Sequence, residues 1–177
     1  MSERDCAKLK IAGYLHDLGK LAVPDTLLSK PDKLNTKEWQ TIRAHPYHTQ
    51  KILEPVKGLE DVTDWASNHH EYLNGNGYPF GNAAGKLSLG ARIISVADIF
   101  TALAEDRPYR TGMNEEKIQK VFYKMLTNEM LDYRVVECLL DNFGSMNLIR
   151  QSAQELGEEE LSNFWEAVDL QVGKHDH

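Results

Sequence analysis

Between His69 and Pro79 the chain runs His-His-Glu-Tyr-Leu-Asn-Gly-Asn-Gly-Tyr-Pro. A paired histidine followed by a loop with two glycines is hard to explain as packing alone. With His16-Asp17, His45 and Asp98 it makes a coherent set of hard metal ligands, and a fold that gathers them must bring four segments together. Apolar spacing at Ala7, Ile11, Tyr14, Leu15 and Leu18 predicts an amphipathic helix whose last turn carries His16 and Asp17, with Gly19 as its stop. Neighbouring helical residues point about 100° apart, so both side chains can reach one metal beside the helix, or Asp17 can bridge two. A second helix, from about Thr36 to Ala44 with Asn35 and Glu38 as a cap-like pair, delivers His45 just before Pro46. A third starts near Glu60 and ends at His69 and His70. A fourth, from Gly90 to about Glu105, has apolar Ile93, Val96, Ala97 and Phe100 and presents Asp98. Helical bundles build metal sites from ligands on facing helices. The expected fold class is therefore all-α, a compact helical bundle with a metal site in its interior. Two long loops, residues 21–35 and residues 72–90 with five glycines, are expected to lie over the site.

Taken singly, these residues are weak signals. A histidine near a helix end is usually a polar or capping residue, and His69-His70 could serve the helix dipole. Five of the seven histidines nevertheless fall between positions 16 and 70, which capping does not predict; of these, His48 reads as surface. Asp98 lies in an otherwise apolar stretch, where a buried carboxylate needs a cation or metal as partner. Later helices are expected at about Asn114–Asn128, Tyr133–Phe143 and Glu158–Val172, the last with a stripe of Leu161, Phe164, Trp165 and Val168. Residues 173–177, including His175 and His177, read as a flexible tail.

The ordered series His16-Asp17-Leu18-Gly19-Lys20, Lys30-Pro31 with Leu34, His45-Pro46, His69-His70-Glu71, Gly75-Asn76-Gly77-Tyr78-Pro79, Ala91-Arg92-Ile93 with Ala97-Asp98, and Arg107-Pro108-Tyr109-Arg110 resembles the HD-GYP branch of the HD phosphohydrolase superfamily. The match covers about residues 5–135, so residues 1–172 are expected to form a single HD-GYP-like domain of the HD type that lacks its first helix. The resemblance implies a metal-dependent phosphodiesterase that hydrolyses cyclic di-GMP to the linear dinucleotide, GMP or both by metal-activated hydroxide. It implies His16, Asp17, His45, His69, His70 and Asp98 as metal ligands, with Asp17 bridging. Asp17 and Lys20 take the catalytic roles; Lys20, Arg107 and Arg110 hold phosphate, and Tyr78 lines the substrate pocket. Two cations about 3.5–4 Å apart can stabilise both the attacking and the leaving oxygen of an in-line displacement, and Arg and Lys suit phosphate as a planar fork and a compact charge. Two divalent ions are expected. Imidazole and carboxylate ligands without thiolate favour iron or manganese, with zinc as the alternative.

The chain departs from the family at three points. A further histidine on an upstream helix would precede Met1, Asn74 stands where the family usually has Asp, and Thr101 stands where Asp commonly follows the metal-binding Asp by three. The alternatives are a metal-bound domain that binds cyclic di-GMP or a partner protein without efficient turnover, and a phosphohydrolase for another nucleotide. A formal charge of −7 argues against polymeric nucleic acid as partner. No apolar run approaches a membrane-spanning length, and Cys6 and Cys138 suggest neither a disulfide framework nor a thiolate zinc site. A cytoplasmic domain is expected, joined to an upstream sensory or receiver domain and with homodimer formation open to it.

Overall fold

A computed structural model describes residues 1–106 and 111–172, with side chains as far as Val168. The described residues are helical, with no strand among them, which matches the expected all-α class. They fall into two compact units, Met1–Glu137 and Cys138–His177. The first holds α1 (Glu3–Leu15), a 3₁₀ turn (Leu18–Ala22), α2 (Asp25–Leu28), α3 (Thr36–Arg43), α4 (His45–Leu53), α5 (Glu60–Ser67), α6 (Leu89–Ala104) and α7 (Glu115–Thr127). Helix α8 (Tyr133–Asp141) runs across the boundary, and α9 (Phe143–Val172) forms most of the second unit. No described helix is long and apolar enough to cross a membrane. The tail at 173–177 lies outside the described residues.

Local chemistry starts these helices where side chains can satisfy their first N–H groups. Ser2 with Asp5 and Asn35 with Glu38 form reciprocal capping boxes on α1 and α3, and Ser88 and Asn114 cap α6 and α7. The core of the first unit gathers Ala12 of α1, Leu53 of α4, Val62, Trp65 and Ala66 of α5, and Ala91 and Ile94 of α6, with Leu9, Leu15, Leu18 and Leu59 packed around it.

Four expectations need correction. The inward face of α1 carries Leu9, Ala12 and Leu15, whereas Ile11 and Tyr14 are exposed. On α6 the buried positions include Ile94 and Val96, but Ala97 is exposed. Residues 21–35 are not a plain loop, because the 3₁₀ turn extends to Ala22 and Pro24 leads into α2. Gly19 does not stop a helix. Helix α1 ends at Leu15, His16 keeps helical angles as its C-cap, and Gly19 sits inside the 3₁₀ turn, where a Cβ would lie 2.0 Å from the His45 carbonyl oxygen and 2.5 Å from the Thr49 nitrogen. That close approach, reinforced by the Gly19 N–H donating to Thr49 Oγ1 and by Thr49 Oγ1 donating to the His16 carbonyl, brings the His16-Asp17 segment against the start of α4.

Candidate metal centre

Each expected ligand of the described residues sits at a helix end or on a helix facing one interior point. His16 and Asp17 follow α1, His45 opens α4, His69 and His70 lie in the turn just after α5, and Asp98 is on α6. Asp17 Oδ1 is 3.2 Å from His45 Nε2, while its Oδ2 is 3.3 Å from His16 Nε2. His45 Nε2 and His69 Nε2 are 3.2 Å apart. Asp98 closes the cluster, with Oδ1 3.7 Å from His16 Nε2 and Oδ2 3.8 Å from His70 Nδ1. His45, His69 and His70 form one group able to hold a cation, and His16, Asp17 and His69 form another.

Three of the four histidines are oriented by the same device. The Nδ1 atoms of His16, His45 and His69 lie 2.7, 2.7 and 2.6 Å from the carbonyl oxygens of Gly13, Ile42 and Ala66, each three residues earlier. A carbonyl only accepts, so each Nδ1 carries a hydrogen, and a ring that is neutral turns its Nε2 lone pair inward. Backbone carbonyls play this orienting part for metal-binding imidazoles generally.

This inward convergence of acceptors makes a strained site for a protein without a cation. The Nε2 atoms of His45 and His69 face each other at contact distance, and Asp17 Oδ1 is buried with no hydrogen-bond donor among the described residues. Burial holds His69 well below the ordinary imidazole range, helped by the neighbouring His70 and His16. Burial and His45 push His70 down to about 3. Both rings are thus neutral at physiological pH and ready to ligate without first losing a proton. Burial also disfavours the charged form of His16, but the adjacent Asp17 carboxylate outweighs it and raises that group. For Asp17, burial is overcome by the neighbouring His16, His45 and Lys20, and the carboxyl lies far below its usual range. Burial pushes Asp98 up despite the opposing His16. A donor set of imidazoles and carboxylates with an orphaned buried oxygen fits a divalent cation.

Lys20 projects from the 3₁₀ turn to within 2.6 Å of Asp17 Oδ2. Tyr78 lies at the other side, its ring 4.7 Å from that of His70 and tilted by 32°. Gly77 lets the loop come this near: a Cβ there would lie 2.4 Å from Glu71 Cα and 2.6 Å from the His70 carbonyl oxygen. Arg107 and Arg110 lie outside the described residues.

Other residues near the site gain roles that the sequence reading did not give them. Glu71 is 2% exposed and its carboxyl oxygens accept from the backbone N–H groups of Phe80, Gly81 and Asn82 at 2.6, 3.1 and 3.0 Å, tying the Tyr78 loop to the turn that carries His69 and His70. Its place directly after the histidine pair was the only hint. Arg43, at the end of α3, holds its guanidinium carbon 4.8 Å from the Tyr78 ring centroid. Asn74 donates to the Asn128 carbonyl at 2.8 Å and accepts from the Asn76 N–H at 3.0 Å. An Asp at this position would set an acceptor against that carbonyl. Asn74→Asp is therefore expected to lower stability by about 1 kcal/mol, measured by urea denaturation. Thr101 is exposed on α6.

Comparison with known proteins gives the family. The HD domain family matches residues 1–135. A 3'3'-cGAMP-specific phosphodiesterase of Vibrio cholerae is 38% identical over 134 residues, covering 76% of this chain and 31% of that protein. A cyclic di-GMP phosphodiesterase of Pseudomonas aeruginosa is 44% identical over 105 residues, covering 59% of this chain and 25% of its own length. A cyclic di-GMP phosphodiesterase response regulator of Xanthomonas campestris is 34% identical over 142 residues, covering 79% and 37%. The chain thus spans between 25 and 37% of the length of these relatives. With a family match over most of its length and a cluster of histidines and aspartates able to hold a metal, the chain belongs to the HD domain family, in its HD-GYP branch.

Proposed function

We propose that this domain is a metal-dependent phosphodiesterase of cyclic dinucleotides, with cyclic di-GMP as its substrate. The observation that carries the reading is the juxtaposition of an acceptor-rich cluster, centred on Asp17, with Tyr78 stacked on His70 at its edge. The relatives are named for cyclic di-GMP and 3'3'-cGAMP, which supports the substrate class.

On this reading His16, Asp17, His45, His69, His70 and Asp98 would hold two divalent ions, iron or manganese, with Asp17 as the ligand they would share. Bound divalent ions lower the pKa of a water and neutralise charge developing on a phosphoryl group. The protein supplies the rest. The carbonyls of Gly13, Ile42 and Ala66 keep three imidazoles aimed inward. Lys20 fixes Asp17 Oδ2 and has further N–H donors for a phosphate oxygen. Tyr78 gives a planar wall to the nucleotide, and Arg107 and Arg110 take phosphate on the strength of the family resemblance. The Xanthomonas relative is named a response regulator, which supports a cytoplasmic output domain governed by a receiver or sensory domain.

The test is incubation of the protein with cyclic di-GMP in the presence of iron(II) or manganese(II), with products separated by chromatography. The linear dinucleotide or GMP is expected. Binding of the nucleotide without turnover under either metal would replace the enzyme by a binding module, and turnover of a different nucleotide alone would move the substrate assignment.

A further inference from the structure

Helix α3 reaches the rim of the metal cluster, and its last turns carry two side chains that the catalytic reading leaves without a role. Trp39 is 51% exposed. Arg43, four residues on and so on the same helix face, is also exposed and lies between two aromatic rings, its guanidinium carbon 6.0 Å from the Trp39 centroid and 4.8 Å from that of Tyr78. Tyr78 in turn stands against His70 at 4.7 Å. A continuous series of planar groups therefore leads from the cluster to the surface: His70, Tyr78, Arg43, Trp39. Among the described residues the Arg43 guanidinium donates no hydrogen bond and joins no ion pair. An arginine placed against an aromatic face keeps the N–H groups along its edge available.

This combination is the one that proteins use for unstacked bases, which rest on aromatic or guanidinium planes while an edge is read by hydrogen bonds. Arginine pairs bidentately with the O6 and N7 acceptors of guanine, whereas adenine offers an amino donor in place of O6 and is matched by glutamine. We propose that Trp39 and Arg43 form a guanine subsite of the metal centre, the base stacking on Trp39 and its O6–N7 edge taken by Arg43. The proposal rests on the cyclic dinucleotide reading and deepens it: Tyr78 and the metal cluster serve any nucleotide, and the α3 pair selects the base.

The experiment is calorimetric titration of the metal-loaded protein with cyclic di-GMP and, separately, cyclic di-AMP. Wild type is expected to prefer cyclic di-GMP. Arg43→Gln should weaken cyclic di-GMP roughly 10- to 100-fold and shift the preference towards cyclic di-AMP. Trp39→Ala should weaken both nucleotides by roughly 10-fold or more. A fold defect would not exchange one base preference for another, and hydrolysis of bis(p-nitrophenyl) phosphate, which has no purine, should be unchanged in both variants. Equal affinity of wild type and Arg43→Gln for cyclic di-GMP, equal losses for both nucleotides in Arg43→Gln, or no nucleotide binding by wild type would overturn the subsite. Turnover is scored separately. Wild type that binds with the expected preference but never hydrolyses the dinucleotide overturns the phosphodiesterase reading and leaves the subsite standing; turnover with an indifferent Arg43→Gln overturns the subsite alone.

Discussion

Asp17→Ala is expected to strip the protein of metal, whereas His45→Ala retains at least about half of it. The two Asp17 oxygens face different members of the cluster, Oδ1 towards His45 and Oδ2 towards His16, so on the proposed reading Asp17 would serve both ions and His45 one. Loss of both ions should lower phosphodiesterase activity by at least about 10³-fold, a few kcal/mol of transition-state stabilisation. The fold should survive, because the Lys20–Asp17 pair is partly exposed and such pairs contribute about 1 kcal/mol or less. Metal content by mass spectrometry, beside a thermal melt of each metal-free variant, checks this. Equal metal content in the two variants would remove the bridging role.

Glu71→Ala should have the next largest effect, and on a different quantity. Its carboxyl group accepts three backbone N–H groups while almost fully buried. Removing a partner leaves each donor with a desolvation cost of about 1–3 kcal/mol, although a freed loop recovers part of it in water. A net loss of about 3 kcal/mol is expected, or roughly 6–12 °C in melting temperature for a domain of this size. Because the same bonds hold the Tyr78 loop against His70, the variant should also lose catalytic efficiency on the order of 10²-fold, the usual cost of misplacing a reacting group by about 1 Å, while keeping its metal. An unchanged melting temperature would show that the loop is held by other means.

How much of this could be read beforehand depends on where each signal is stored. The capping box at Asn35 and Glu38 is local chemistry, and the structure has it. Gly77 was visible as part of a loop with two glycines, but the reason for it, a backbone approach that leaves no room for a Cβ, belongs to the fold. The inward face of α1 was not. Ala7, Ile11 and Tyr14 share a helical spacing with Leu9, Ala12 and His16, and only packing against α5 and α6 chooses the second set. The reach of α9 was missed for another reason. Its first half is polar between Ile149 and Leu156, so the apolar period fades, yet contacts from Arg150 to Asn147 and Gln154, and from Gln154 to Glu158, carry the helix through. For the site, the residue types and their order were legible, but the roles of Glu71 and Arg43 were not: apart from Trp39, one turn before Arg43, their partners lie on other segments, and a backbone N–H or an aromatic face nine or more residues away leaves no periodic trace.

The six inward-facing side chains are expected to bind metal together, and the metal content of protein purified without added metal decides the matter. About two divalent ions per chain, iron or manganese, are expected, consistent with a two-metal centre, and both should be lost together in Asp17→Ala. Protein that carries no metal, and takes up none when iron(II), manganese(II) or zinc(II) is supplied, would show that these side chains are not a metal centre.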